Sequence, residues 1–295
     1  MPPPSPARPG NPTLGSYVEA WDPSPVMDED TLHTGPVAAL SAVLDLPEPV
    51  AGAGDALPPL WHWLYFLNWP VRSELGPDGH PLYGHFLPPV PARQRMWAGG
   101  RCEITEPLRL GRPTERVSSL SAVTVKHGRT GEMLFVTERR EFRQDGRIRL
   151  VEEQDIVYRS GRSKGRHPEV LDETNPPESD AQWRLPYHPD TRLLFRFSAL
   201  TANTHRIHYD APYCREEEGY PAPVVHGPLL ALLMLELPRL HAPTRQIRAH
   251  SYRLRHPVFT GEHFALHGTP SGDGARLSVA THRRAQHATS EVIFA

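Results

Sequence analysis

The chain has 295 residues, 38% of them hydrophobic and 8% aromatic, enough for a buried core in one large or two modest domains. A formal net charge of −2 and a pI near 6.8 exclude a whole-molecule field for DNA, RNA or an anionic membrane. Two cysteines far apart, Cys102 and Cys214, exclude a disulfide framework and predict a reducing, cytoplasmic setting. The start of the chain does not read as a secretory signal, and no apolar run reaches transmembrane length.

In chain order, residues 1–29 read as a disordered or extended arm, proline-rich over its first 13 residues. Asp30 is placed to cap a helix running to about Leu46, with Val37, Leu40, Val43 and Leu44 as its apolar stripe. The aromatic stretch Leu57–Trp69 reads as a buried strand or a short helix. Residues 70–94 are rich in turn formers. From Arg95 to Arg159, four runs of strand length are separated by glycine-containing turns such as Asp145-Gly146, which predicts an antiparallel meander. Residues 161–182 are polar and read as a linker between an N-terminal unit over 30–160 and a C-terminal unit over 183–295. Leu193–Ala199 reads as a strand, His205–Asp210 as irregular, and Asp210–Glu218 as a short helix closed by Gly219. Gly227–Leu237 is a leucine-rich helix with almost no polar face, so other structure must enclose it. A second four-stranded meander fills the remainder. Helix followed by antiparallel strands thus occurs twice, which predicts an α+β layer architecture.

The chemistry concentrates just before the leucine helix. Asn203, His205, His208 and His226 lie upstream of a start where Pro228 suits the first helical position. The amides of Gly227 and Leu229 would there carry partial positive charge. His208 is the candidate general base or acid, with Asn203 holding a water or the substrate; the competing reading packs His208 in a loop and gives Asn203 an Asx turn. His205, His208 and His226 could form a metal triad, but 17 histidines make chance clusters common and no fourth ligand has a convincing spacing. Arg206 and the arginines after the helix could hold a phosphate, or they could simply form a solvated face. Trp61, Trp63, Tyr65 and Trp69 could line a cavity or be core.

The segments FSALTANTHRIHYDAPY and GYPAPVVHGPLL, with LPPLWHWLYFL and RMWAGGRCEITEPL upstream, resemble the MaoC-like hydratase/dehydratases, in the branch with a dehydratase-like N-terminal half. The resemblance covers most of residues 30–295. It implies a double hotdog with a non-catalytic N-terminal half and one active site in the C-terminal half. It also implies reversible addition of water across the double bond of a 2-enoyl thioester, of CoA or of an acyl carrier protein. No cofactor, metal, nucleic acid or membrane is implied, and a homodimer is left open. Sliding the family pattern Asp-x-Asn-Pro-x-His over this chain puts His208 on the catalytic histidine, Asn203 on the aspartate, His205 on the asparagine and Arg206 on the proline. The histidine is kept and the acid is not. An amide can orient water but cannot take its proton, and Asp210 is the nearby carboxylate available to assist. The match of VVHGP puts the Gly227 amide on the thioester carbonyl, with His205, Arg206, Asp210, His226, Trp61 and Trp63 around the substrate. Two rival readings are a hotdog thioesterase and a thioester-binding protein that has lost catalysis.

Overall fold

The computed structural model describes residues 13–91, 93–128, 131–160, 170–171, 174, 176 and 178–295. A short helix α1 (Leu14–Val18), capped by the Thr13 hydroxyl, leads into β1 (Val26–Thr31) and α2 (Thr34–Val43). After 3-10 turns at Trp61–Leu64 and Arg72–Glu74 come β2 (Arg93–Ile104), β3 (Pro113–Gly128), β4 (Gly131–Gln144) and β5 (Arg147–Ser160). The second half opens with β6 (Trp183–Tyr187) and α3 (Thr191–Leu200). A 3-10 turn at Arg206–His208 is followed by α4 (Ala211–Tyr213), which runs into a π turn at Cys214–Glu218. Then come α5 (Gly227–Met234), α6 (Glu236–His241), β7 (Ile247–Leu254), β8 (Phe264–Ser271), β9 (Gly274–Thr281) and β10 (Arg284–Phe294).

The ten strands of the described residues form one antiparallel sheet in the order β1-β3-β4-β5-β2-β7-β10-β9-β8-β6. Read inward from either edge, each half has the same order: its first, third, fourth, fifth and second strands. The halves join at β2 and β7, where Gly99 faces Arg253 and Glu103 faces Ala249. Side chains alternate across this seam: His250 and Tyr252 point inward, Ser251 and Arg253 outward.

α5 lies against β8, β9 and β10 with every residue from Leu229 to Met234 buried. Each leucine fully removed from water there contributes roughly 1.5–3 kcal/mol. Only the helix start, Gly227 and Pro228, is partly accessible, so the sole open end is the one carrying unpaired amides. Leu232→Ala is expected to cost about 2–5 kcal/mol, because the sheet cannot collapse onto the hole. A fall in the urea midpoint at unchanged slope would show it.

The structure differs from the sequence reading at several elements. Beyond Thr13 the N-terminal stretch is built: α1 packs on β4, and β1 pairs with β3 from Val26 opposite Ser118 to Thr31 opposite Pro113. Asp30 is not a helix cap. It lies in β1, and its Oδ2 accepts a 2.8 Å bond from the Phe66 amide. The stretch read as a strand at Leu193–Ala199 is helix α3. Asp190 caps it by accepting from the Leu193 amide at 2.8 Å, and Leu193, Leu194, Phe197 and Ser198 form its buried face. The leucine helix breaks near Leu235 and continues as α6. Most of the linker reading lies outside the described residues. Among the described residues no helix is long and apolar enough to cross a membrane.

Candidate active site

The stretch before α5 is tied to its neighbours by backbone bonds. Val224 N–H donates to Ile207 O, Val225 N–H to Val258 O and Thr260 N–H to Pro223 O, at 2.8, 2.8 and 2.9 Å. Residues 223–226 therefore run as an extended strip between the 3-10 turn and the segment after β7. The strip delivers His226 and Gly227 to the same place as His208.

His208 is buried, and its Nδ1 lies 2.8 Å from the Val224 carbonyl oxygen. A carbonyl only accepts, so Nδ1 carries the proton and Nε2 presents a lone pair. Burial pushes the His208 pKa down to about 4, against the favourable Val224 bond, with the charge of His80 adding to the fall. At neutral pH this ring is a neutral base. It stacks on His226 with ring centres 3.6 Å apart and planes 17° apart. His226 is fully buried, with Nε2 2.8 Å from the Ser198 hydroxyl and Nδ1 buried without a hydrogen-bond partner. Burial, then His208 and His205, hold its pKa well below the ordinary imidazole value. His226 also precedes Gly227, so the stack sets the base beside the start of α5.

His205 stands edge-on to His208, with ring centres 5.5 Å apart, and burial followed by the charge of His80 holds its pKa well below the ordinary imidazole value. Asn203 turns inward on its own loop: its Oδ1 accepts a 3.0 Å bond from the His205 amide, the Asx turn of the competing reading. Arg206 grips Asp210 through Nε and Nη2 at 3.0 and 2.7 Å and lies over the Tyr213 ring. Asp210 also caps α4, accepting from the Tyr213 amide at 3.0 Å; that bond and Arg206 hold its carboxyl below the ordinary range. Trp61 is fully buried in the hydrophobic core. Trp63 donates its indole N–H to Glu152 Oε1 at 2.6 Å and packs near Trp97 and Tyr252, at the seam. The structure therefore brings His205, His208, His226 and Gly227 together. It gives Asn203 and the Arg206–Asp210 pair local bonds that shape the loop.

Sequence reasoning missed Ser198, which no local motif marks, and the turn at residues 76–80. This turn belongs to the N-terminal half and is strapped to the loop over residues 204–206. Thr204 Oγ1 donates to Gly79 O at 2.6 Å, the Arg206 amide to Asp78 O at 2.8 Å, and Arg206 Nη1 to Pro77 O at 2.9 Å. His80 lies 3.9 Å, ring centre to ring centre, from His205. Gly79 has φ +89°, and a Cβ there would sit 1.9 Å from the Thr204 oxygen. Gly79→Ala is therefore expected to detach the strap and to lower kcat about tenfold or more through misplacement of the loop. Steady-state kinetics beside a circular dichroism spectrum would separate this from global unfolding.

For a metal, the nearest grouping among the described residues is Asp78, His80 and His205, whose ligand atoms lie within 4.8 Å of one another. The triad of His205, His208 and His226 is not such a grouping among the described residues. A concavity of about 1590 Å³ lies on the outer sheet face, bordered by Lys126, Ser251, Arg253 and Arg255 and containing none of residues 203–227.

Residues 60–260 match the family described as hydroxyacyl-thioester dehydratase type 2. The chain is 44% identical over 254 residues to mesaconyl-C(4)-CoA hydratase of Chloroflexus aurantiacus, covering 86% of this chain and 89% of that one. It is 26% identical over 267 residues to the mitochondrial hydroxyacyl-thioester dehydratase type 2 of Schizosaccharomyces pombe, covering 80% and 87%. Among solved structures it resembles a MaoC-like dehydratase from Phytophthora capsici, with a TM-score of 0.60 at 13% identity over 92% of this chain and 95% of that one. That likeness shows the fold, an α+β hotdog in double form.

Proposed function

Because the chain belongs to the hydroxyacyl-thioester dehydratase type 2 family and is a hydro-lyase of acyl thioesters, we propose that His208 and the start of α5 carry its reaction. The reaction is the reversible hydration of a 2-enoyl thioester to a 3-hydroxyacyl thioester. The identity to the Chloroflexus hydratase favours a CoA ester of the mesaconyl type over an acyl carrier protein. The observation that carries the site is the 3.6 Å stack of His208 on His226, which sets a neutral imidazole beside the Gly227 amide.

In the dehydration direction, Nε2 of His208 accepts the α-proton and the released electron pair moves toward the thioester oxygen. The amide of Gly227, with that of Leu229, faces the growing charge; Pro228 has no N–H to give. One lost donor of this kind typically costs about 3–4 kcal/mol. The enclosed leucine body of α5 keeps water from the helix and leaves the positive end unscreened. The division of labour follows the topology: residues 183–295 supply His208 and α5, while the unit over residues 30–160 closes the sheet. Two buried free cysteines suit a reducing compartment such as the cytoplasm.

Incubation with crotonyl-CoA, mesaconyl-CoA and longer enoyl-CoAs, followed both by loss of the enoyl chromophore and with a thiol reagent, tests the reading. Water addition without free thiol is expected. Thiol release at the same rate would make the protein a thioesterase, and tight binding without turnover a carrier.

A further inference from the structure

The family pattern places a carboxylate where this chain has Asn203, and the Asn203 side-chain oxygen already accepts from the His205 backbone amide. Elimination of water needs two proton movements: one off the α-carbon and one onto the departing hydroxyl. His208 accounts for the first, and an amide cannot deliver the second. A second titratable pair reaches the site from the N-terminal half. His80 Nδ1 lies 3.1 Å from Asp78 Oδ2, and the His80 ring lies 3.9 Å from His205. Burial would raise the Asp78 carboxyl, but the hydrogen bond and charge of His80 outweigh it and hold it below its ordinary value. The charge of His80 is felt at both His205 and His208, so His80 shares their electrostatic space. Three backbone-directed bonds and the Gly79 approach fix the turn against the catalytic loop, so this neighbourhood is built rather than incidental.

We propose that His80, oriented by Asp78, is the second acid–base group of the active site and supplies the proton that an amide at position 203 cannot. The inference rests on the hydration–dehydration reading above. In dehydration the Cα–H bond breaks and its proton passes to Nε2 of neutral His208. The electron pair forms the Cα=Cβ bond. The Cβ–O bond breaks, and the oxygen takes a proton from the protonated His80 imidazole and leaves as water. His208 then holds one proton more and His80 one fewer, and exchange with solvent resets both. Hydration runs the same steps backward. An Asp–imidazole pair in which the carboxylate fixes the ring's tautomer is a recurrent way of orienting such a group. The N-terminal half is then a contributor of chemistry, not only of scaffold.

The test uses the full chain with the best enoyl-CoA or 3-hydroxyacyl-CoA found for the wild type. His80→Ala is expected to lower kcat by about 10²–10³ with KM within about threefold, the range of a lost general acid. Added free imidazole should restore part of that rate, since the His80 side chain is 21% exposed and its emptied site is open to solvent on that side. Asp78→Asn should fall about tenfold, and His80→Gln, which fills the space without a titratable ring, should match His80→Ala. A kcat within threefold of wild type in His80→Ala would overturn the proposal, as would a loss that imidazole leaves untouched. So would stoichiometric zinc in the purified enzyme that a chelator removes together with activity, since Asp78, His80 and His205 would then be ligands. If the wild type itself adds no water to any thioester, the underlying reading fails instead, and the two failures are distinct.

Discussion

His208→Asn is expected to lower kcat by about 10²–10⁴ while leaving KM nearly unchanged. Asparagine is the informative replacement because its side-chain amide can still donate to the Val224 carbonyl, as Nδ1 does now at 2.8 Å. It lacks the second ring nitrogen, so the loss isolates the base. The pH dependence has a defined sign. Only neutral His208 can accept a proton, and its pKa in the folded protein is down to about 4, by burial first and the charge of His80 next. In the free enzyme, kcat/KM therefore loses the contribution of His208 only as pH falls through about 4, not near the ordinary imidazole value. A limb near 6.5 that disappears in His208→Asn would mean that His208 is solvated.

The largest expected effect on stability lies at the seam, away from the histidines. Glu152 on β5 is buried and meets the Trp63 indole at 2.6 Å, His62 Nε2 at 3.3 Å and Arg140 Nη1 at 3.7 Å. Burial alone would raise its pKa, but His62 and Arg140 outweigh burial and hold it at about 2. Glu152→Leu leaves an indole donor, the buried His62 ring and the half-buried Arg140 guanidinium without this partner, and removing one partner of a buried ion pair costs about 3–5 kcal/mol. Glu152→Gln keeps an acceptor for Trp63 and should cost less, about 1–3 kcal/mol. Because the folded pKa is depressed, the stabilisation from the carboxylate is complete above its ordinary value of 4.5 and is lost as pH falls toward 2. Urea melts of wild type and Glu152→Gln should therefore converge between those limits. Parallel curves would show that the charge of Glu152 contributes nothing.

The long strands were legible because β2 to β5 and β7 to β10 are runs of strand length, alternating in part, set off by glycine turns such as Asp145-Gly146. The leucine body of α5 was equally legible, since a helix without a polar face has only one place to go. α3 was not. Its buried residues Leu193, Leu194, Phe197 and Ser198 follow helical spacing, but over ten residues of mixed apolar and arginine side chains that spacing reads as a short strand; the Asp190 cap was the missed signal. β1 and β6 are short edge strands whose pairing comes wholly from β3 and β8, so nothing local announces them. Within the site, His208, His226 and Gly227 were near one another in sequence and could be grouped. Asp78 and His80 could not: more than 120 residues separate them from Thr204, and the strap that brings them in is made of backbone oxygens, which carry no sequence signature. Asn203 shows a different limit, because one side chain serves a turn and a water equally well until coordinates assign its bond.

The most direct test of the shared thioester is vibrational. His208→Asn should still bind an enoyl-CoA while turning it over too slowly to matter, so the carbonyl stretch of the bound, isotope-labelled thioester can be recorded at leisure. A band shifted to lower frequency than in solution is predicted, because the amides at the start of α5 would polarise the carbonyl beside the missing base. A band at the solution frequency, or rapid turnover by the variant, would contradict the convergence of residues 208 and 227 on one substrate.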